Sequence, residues 1–553
     1  MAKAVFKTYT PGQLQLLPPS WDEKIDKAHP VRIVNNVIDQ LDLTQLYDSY
    51  EGGGTSAYHP KMLLKGIVFS YINNIYSSRR IEEAIKSNIH FIWLCADNEP
   101  DHNTINRFRG VKVAPVLKGI FKQIVLLLAE EGLVSLKDQY VDGTKIEANA
   151  NRYTFVWGNA IKTNKEKMAK QLDDLWQYAQ TIATEEMKDT VPVDFKTIDA
   201  EKVRQAVSAI EEAIKDKPIP KKIKQKLDYA KKNYPAKLDE YKAKEQILDG
   251  RNSYSKTDND ATFMRMKEDH MQNGQLKPGY NVQISTNSQV ITNYDIYPNP
   301  TDTLTLPSHI DSFCELYGQA PETLTADSGY GSEQNYECLE EKDITAYVKY
   351  NYFHQEQKGI REKKYPFAQE HLYYNPDKDC YTCPMGQQMD NTGSYIKKNA
   401  NGFEQTITKY QTQNCNGCPL RSVCHKSAGN RIIEVNHNLN HHKQIARENL
   451  TGEQGIYHRS QRPQEVEAVF GNIKQNKSFR RFMLRGKKKV ATEFGLVAIA
   501  HNLMKKASAK RSSSYFTPIN PHYPSHLIKH VLTLCNRASL NYKEAASLLR
   551  QPP

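Results

Sequence analysis

"TLTADSGYGSEQNYECLEEKDITAYVKY" runs from Thr323 to Tyr350. "TLTAD" reads as a short strand ending on Asp327, and "SGYG" turns at once. "SEQNYECLEEK" then reads as a helix and "ITAYVKY" as a second strand. Strand, helix and strand in so short a span make a βαβ unit, whose strands lie parallel in one sheet. This stretch therefore gives a mixed sheet, and with the helical segments elsewhere the fold class is multidomain α+β/α/β. In open sheets of this class functional groups gather at the carboxyl ends of strands, which marks Asp327.

Upstream, "GYNVQISTNSQVITNYDIYP" (279–298) alternates Val282, Ile284 and Thr286 with Gln283 and Ser285, and turns at "NSQ". It reads as a hairpin. Further upstream, "YVDGTKIEANANRY" (Tyr140 to Tyr153) opens as a strand from about Asp138 and places Asp142 mid-strand beside Gly143. A carboxylate there needs a partner or a metal. A metal site needs a third acid, because hard divalent cations take several oxygens. Glu467 fits. In "EVEAVFGNIK", Val466, Val469, Phe470 and Ile473 form a buried helical stripe with Glu467 at its border. Lys474 lies two turns further on, placed to hold a phosphate near a metal on the glutamate.

The chain has 553 residues, enough for about two to four domains. Hydrophobic residues are 39% and charged residues 25%, ordinary values for a globular protein. Lys plus Arg is 75 against 63 acids, a net charge of +12 that favours a polyanionic partner. The longest apolar run, Ile124 to Ala129, falls far short of the roughly 20 residues a membrane span needs. "MAKAVFKTYT" has no apolar signal core, so a cytoplasmic protein without membrane partners is expected.

The organisation reads as follows. Residues 1–135 are a helical N-terminal domain suited to DNA binding. Val31, Val34, Ile38 and Leu41 mark one helix, "EGGGTSAYHP" is a loop, and Pro60 opens the next helix. The α/β core occupies 136–159 and 250–350. Between these, 160–249 is a Lys- and Glu-rich helical insertion, read as a hairpin of two long arms and as a solvated spacer more than a DNA clamp. A Cys-rich insertion covers 351–455. The core resumes over 456–506, and 507–553 is a loosely packed tail.

Five of the nine cysteines bunch together: Cys380, Cys383, Cys415, Cys418 and Cys424. Two Cys-x2-Cys pairs with 31 residues between them (415 − 383 − 1) signal a structural, zinc-ribbon-like tetrahedral zinc. An iron–sulfur cluster is the lesser option. Four places for five cysteines leaves Cys415 or Cys424 as the spare. "FRRFMLRGKKK" puts Arg480, Arg481, Arg485, Lys487, Lys488 and Lys489 just after the Glu467 helix, a track for backbone phosphates. Arg79, Arg80, Arg107 and Arg109 are weaker candidates for recognising DNA ends. "SKTDNDATFM" (255–264) reads as a structural turn, and Trp157 and His501 as core residues.

Taken in order, "VDGTKIEANANRYTFVWGNA", "GYNVQIS", "LTADSGYGS" and "RSQRPQEVEAVFGNIKQNKSFRRFMLRGKKKVATEFGLVAIAHNLMK" resemble a bacterial insertion-sequence DDE transposase of the insertion sequence 1182 type. "YHPKMLLKGIVFSYINNIYSSRRIEEAI" and "DHNTINRFR" are similar to that group's helical N-terminal domain. The resemblance implies a ribonuclease-H-like catalytic core in which Asp142, Asp327 and Glu467 are the triad. It implies two Mg²⁺ ions per site, with Mn²⁺ as a substitute. The partner would be double-stranded DNA, both transposon terminal inverted repeats and target, bound by a homodimer in the bacterial nucleoid. The activity would be cleavage at transposon ends and strand transfer. The alternatives are a catalytically silent DNA-binding protein derived from a transposase, and a nuclease of the same fold. The related pattern Tyr-x2-Arg-x3-Glu-x6-Lys fits in part. The gap from Glu467 to Lys474 matches, but position 463 is proline. The arginine role passes to Arg462 or Arg459, and the tyrosine to Tyr457.

Overall fold

A computed structural model of the chain describes residues 20–50, 56–185, 194–195, 197–266, 274–399 and 401–515. The glycines of "EGGGTSAYHP", the N-terminal stretch tested for a signal core and the tail from 516 lie outside the described residues. Among the described residues, eight strands precede the Cys-rich region: β1 Asp138–Glu147, β2 Phe155–Trp157, β3 Ser253–Ser255, β4 Thr262–Arg265, β5 Leu276–Asn287, β6 Val290–Tyr297, β7 Thr323–Ala326 and β8 Thr345–Val348. β2 and β3 form a two-stranded ribbon. The other six form one mixed sheet of order β4-β5-β1-β7-β8, with β6 paired to β5.

The βαβ unit stands as read. β7 and β8 are parallel and are joined through the helix Glu333–Glu341. β1 lies parallel to β7 and antiparallel to β5. The β5–β6 hairpin turns at Ser288 and Gln289, both at positive φ (53° and 60°), the conformation of a two-residue hairpin loop. Glu465 accepts from the Gln289 amide at 2.8 Å, and the buried His501 ring bonds the Gln289 carbonyl, which pins this turn.

The structure covers both faces of β5. Gln283, Ser285 and Thr286 are as buried as Val282 and Ile284. On one side Ser285 meets His309 of the helix Leu306–Tyr317. On the other, Val282 and Ile284 join a core built by the N-terminal helices and the last helix, Lys487–Tyr515. Val31, Val34, Ile38 and Leu41 belong to that same core, as do Ile124 and Leu128. The N-terminal helices thus share their hydrophobic core with the back of the sheet.

The described residues of the helical insertion hold three helices, Gly158–Ile182, Ala200–Ala213 and Lys221–Leu248, rather than two long arms. The middle one presents Val203, Ala206, Val207 and Ile210, an i, i+3, i+4, i+7 stripe. That stripe closes a separate core with Leu172, Trp176 and Leu227, so the insertion has an interior of its own.

The Cys-rich region is a five-stranded antiparallel sheet: β9 Tyr373–Asn375, β10 Cys380–Thr382, β11 Gln388–Lys398, β12 Glu404–Thr412 and β13 Ile432–Val435, in the order β13-β12-β11-β10-β9. Helices His437–Thr451 and Glu453–Arg462 lead from it back toward the main sheet. The last helix continues through Ala507, which is buried, as far as Tyr515. None of the described helices is long and apolar enough to cross a membrane.

Candidate functional site: a carboxylate cleft around Arg462

Parallel pairing of β1 with β7 sets the site. Tyr140 is level with Thr325, so two residues further on Asp142 stands level with Asp327. Asp142 is still within β1 and is 5% exposed. Asp327 is the first residue past β7, where its Oδ1 accepts the Gly329 amide at 2.8 Å and closes the turn Ser328–Tyr330.

The third wall comes from the segment after Arg462. Two π-helical turns, Pro463–Glu467 and Asn472–Asn476, flank Ala468–Gly471. Pro463 has no N–H to continue the helical ladder, and its ring crowds the carbonyl four residues back. The chain loosens there into i→i+5 spacing. In a regular α-helix, residues five apart diverge by roughly 140° at about 100° per residue. Across the π turn, Arg462 and Glu467 face each other instead. Val466, Val469 and Ile473 remain fully buried behind them.

All three acids meet one guanidinium. Arg462 Nη1 donates to Glu467 Oε1 at 2.7 Å. Its Nη2 lies 3.1 Å from Asp142 Oδ2 and 3.8 Å from Asp327 Oδ2. Arg462 is itself buried, and its Nε has no hydrogen-bond partner. These residues, with Lys474, line a cleft of about 310 Å³. The countercharge of Asp142 that the sequence posed as a question is thus met within the chain by arginine.

The donor set also bears on a metal. Three carboxylates converging on one cation are the hard-oxygen set that Mg²⁺ or Mn²⁺ takes. Among the described residues no three His, Cys, Asp or Glu side chains stand at metal-ligand spacing. With Arg462 between them the acids are held apart, so closing on an ion requires the guanidinium to withdraw.

Gly143 has a steric reason. A Cβ there would lie 2.2 Å from Gln283 Nε2 and 2.4 Å from Asp302 Oδ1, so a larger residue would have to push these two side-chain ends aside. Tyr330, fully buried, donates from its hydroxyl to Gln283 Oε1. Burial first, then the charges of Asp302, Asp142 and Asp327, push its phenol far above the ordinary range. The sequence reading missed Asp302, Gln283 and Tyr330. Asp302 sits in the polar loop "YPNPTDTLTL", where nothing local distinguishes it.

The remaining candidates divide. Lys474 is buried at the cleft wall. Arg459 turns away, to Gln357 Oε1 at 3.3 Å and over the Phe353 ring, so the arginine beside the acids is Arg462. Tyr457 is exposed and its ring lies against His458, with no acid of the cleft among its contacts. Arg480, Arg481, Arg485, Lys487, Lys488 and Lys489 are all exposed, while Phe479 and Phe482 between them are core residues. The segment is stitched to the end of β1: the Glu147 amide donates to the Arg480 carbonyl at 3.2 Å, and Phe482 N to the Glu147 carbonyl at 2.9 Å. Glu493 accepts the amides of Met483 and Leu484, Asp258 that of Gly486, and Asp260 that of Lys487. "SKTDNDATFM" is therefore an anchor for the basic loop.

Among the N-terminal arginines, Arg79, Arg80 and Arg107 are exposed. Arg109 is not available to DNA. It is 2% exposed and donates to the Tyr71 hydroxyl and the Tyr76 carbonyl, because it fills a polar gap between helices.

Four cysteines, Cys383, Cys415, Cys418 and Cys424, line a small cavity of about 20 Å³ together with His425 and Arg431. Cys380 is buried in β10 and is not among the residues that line this cavity. The sulfurs receive hydrogen bonds: Gln387 N to Cys383 (3.3 Å), Arg431 N to Cys415 (3.4 Å) and Arg431 Nη1 to Cys424 (2.9 Å). Burial raises the Cys415 thiol, but the Thr412 hydroxyl, the Arg431 amide and two guanidinium charges outweigh it and hold the thiol below its usual value.

Two family models match the chain: Transposase DDE domain over residues 382–507, and Transposase domain (DUF772) over residues 19–110. The first contains Glu467, Lys474 and the basic segment, and leaves Asp142 and Asp327 outside. Together they support an insertion-sequence DDE transposase, a class that acts on DNA and generally uses divalent metal ions. No curated protein and no solved structure matches the chain.

Proposed function

We propose that the chain is a DDE transposase of the insertion sequence 1182 type that cleaves DNA at transposon ends and transfers the strand to target DNA. The observation that carries this reading is the convergence of Asp142, Asp327 and Glu467 on the single guanidinium of Arg462. The strand arrangement supports a ribonuclease-H-like core: an antiparallel hairpin beside β1, then two parallel strands, with one acid on β1 and one just past its parallel neighbour.

Asp142 and Asp327 would hold divalent ions from the sheet side and Glu467 from the facing helical segment. Bound there, such ions lower the pKa of an attacking water or 3′-hydroxyl and stabilise the leaving oxygen. Arg462, once released from the acids, and the buried Lys474 would take the phosphate under attack. The exposed cations from Arg480 to Lys489 hold the backbone beyond it. Gly143 keeps β1 close to Gln283 and Asp302, which steadies the strand carrying Asp142. The four-cysteine cavity would hold a structural zinc that closes the loops of the second sheet. Transposition joins two ends, so the working form would be a homodimer on DNA.

The test is purified protein with labelled element-end DNA and Mg²⁺, with products sized on a denaturing gel. Cleavage at the element boundary followed by joined products is expected. Cleavage without end preference or joining would identify a nuclease of the same fold. Binding without cleavage would identify a silent DNA-binding derivative.

A further inference from the structure

The sheet face that carries Asp142 and Asp327 continues onto β8. Tyr140, Thr325 and Tyr347 stand level across β1, β7 and β8. His458 lies on them: its Nδ1 is 3.0 Å from the Tyr140 hydroxyl, and its ring stacks on Tyr347 with centroids 4.6 Å apart. Two residues further along each strand, on the same face, come Asp142, Asp327 and Lys349. The Lys349 amide donates to the Ala326 carbonyl at 3.4 Å, which holds it at that level. Adjacent strands lie about 4.8 Å apart, so Lys349 stands beyond Asp327 and roughly 10 Å from Asp142.

Three cations gather on this side, and none has a carboxylate. Lys349 is partly buried, and no described residue bonds or ion-pairs its ammonium. Arg459 has neutral partners: the Gly455 carbonyl at 3.4 Å, Gln357 Oε1 at 3.3 Å and the Phe353 ring. Lys358 is exposed and likewise unpaired among the described residues. Glu356, the one acid of the helix Phe353–Gln357, is taken by Arg447 at 2.9 Å and by the Tyr350 hydroxyl at 2.7 Å. The three cations surround His354, whose pKa falls through burial first and then through the charges of Lys349, Arg459 and Lys358. Like charges gathered without a counterion repel, so the fold alone gains nothing from them. A polyanion does.

The basic loop lies elsewhere. It runs ahead of the acids along β1, where Arg481 bridges to Glu147. Lys349, Arg459 and Lys358 stand beside the acids, beyond β7. Cations thus border the acids on two sides. We propose that Lys349, Arg459 and Lys358 form a second phosphate-binding surface, on the β8 side of the cleft, that holds the DNA backbone separately from the basic loop. The proposal rests on the DNA-cleaving reading above.

The test is binding of the full chain to a random-sequence DNA duplex, followed by fluorescence anisotropy over a series of salt concentrations. Lys349→Met, Lys358→Gln and Arg459→Gln are combined in one variant. A second variant has the basic-loop cations from Arg480 to Lys489 replaced by Gln, and a third joins the two. Each lost phosphate contact removes about 0.9 from the slope of log affinity against log salt, so the first variant should lose up to about 2.7. In the joined variant the losses should add, because separate phosphates are held. Lys349→Met alone should unfold at or above the wild-type temperature, since it removes only repulsion. A lower temperature would show that the fold itself uses the charge and would overturn the proposal. An unchanged slope in the first variant, with a flattened slope in the second, would overturn this surface and leave the DNA reading standing. Wild type that binds no duplex would overturn the DNA reading and this proposal with it. Where the first variant does not fold, Lys358→Gln alone should lose about 0.9, and an unchanged slope there overturns the surface equally.

Discussion

Arg462 Nη1 and Glu467 Oε1 stand 2.7 Å apart across a π-helical turn, five residues from each other in the chain. The same guanidinium reaches Asp142 and Asp327 with its other nitrogen. One cation thus holds three acids, and its loss should be felt by all of them. The Arg462 and Asp142 side chains are buried, whereas Asp327 and Glu467 are 41% and 54% exposed and contribute less through solvent screening. Arg462→Ala should destabilise the metal-free protein by about 3 kcal/mol, the lower end for breaking a buried pair. Millimolar Mg²⁺ should restore most of that loss in the variant and add little to wild type. Thermal unfolding with and without Mg²⁺ measures both. A variant no less stable than wild type in the absence of metal would remove Arg462 as the countercharge.

Replacing Asp142, Asp327 or Glu467 with Ala should abolish cleavage. Affinity for duplex DNA should stay within a few-fold of wild type, because affinity comes from the basic residues. A gel-shift assay run beside the cleavage assay separates the two effects. Wild-type cleavage by any of the three variants would exclude that residue from the site.

The basic segment should set the salt dependence of binding. Each phosphate neutralised contributes about 0.9 to the slope of log affinity against log salt for duplex DNA. Replacing Arg480, Arg481, Arg485 and Lys487 to Lys489 with Gln should flatten that slope and weaken specific and random duplex alike. End preference should persist, since phosphate contacts carry no base identity. The side chains are exposed and their backbone is anchored by Phe479 and Phe482, so the fold should survive. A full slope with lost end preference would show that this segment reads bases.

Glu493 links the basic loop to pH. Burial pushes its carboxyl up to about 7, against the Leu484 and Met483 amides and the Arg109 charge. The folded protein therefore keeps a proton that the unfolded chain releases near pH 4.5. The stabilisation is complete below that pH and is lost as pH rises through about 7. Across this window wild type should lose up to about 3 kcal/mol more than Glu493→Gln, which stays neutral throughout. Urea unfolding of both proteins at several pH values gives the difference, and parallel pH profiles would refute it.

The cysteine cavity should carry about one zinc per chain in protein purified without chelator, by elemental analysis. Cys418→Ser should lose the metal and loosen the second sheet, while Cys380→Ser should keep it. Equal zinc in both variants would contradict the ligand set Cys383, Cys415, Cys418 and Cys424.

Much of this protein was legible in the sequence because the signals were local. The βαβ unit, the hairpin and the buried stripe beside Glu467 follow from residue periodicity and turn chemistry, which act over a few residues. The cover on the Val282 and Ile284 face of β5 was not legible, because it comes from the N-terminal helices and the last helix, far away in the chain. The third helix of the insertion was open to reading but needed its Val203–Ile210 stripe to be weighed against the lysine-rich background. The identity of the arginine depended on a π turn that absorbs the offset at Pro463, and no spacing rule based on a regular helix shows that. Arg109 reads in sequence as one more surface cation, and only helix packing turns it inward. Cys380 shares a Cys-x2-Cys pair with Cys383, yet strand pairing in β10 takes it out of the cavity. Asp302 and Gly143 meet only because β5 lies beside β1, and that register belongs to the tertiary structure. The sequence by itself determined which residues were acids, cations and thiols and which segments carried them. Tertiary structure decided which of them converge, because convergence is set by strand register and helix phase between segments more than a hundred residues apart, as from Asp142 to Asp327 (327 − 142 = 185).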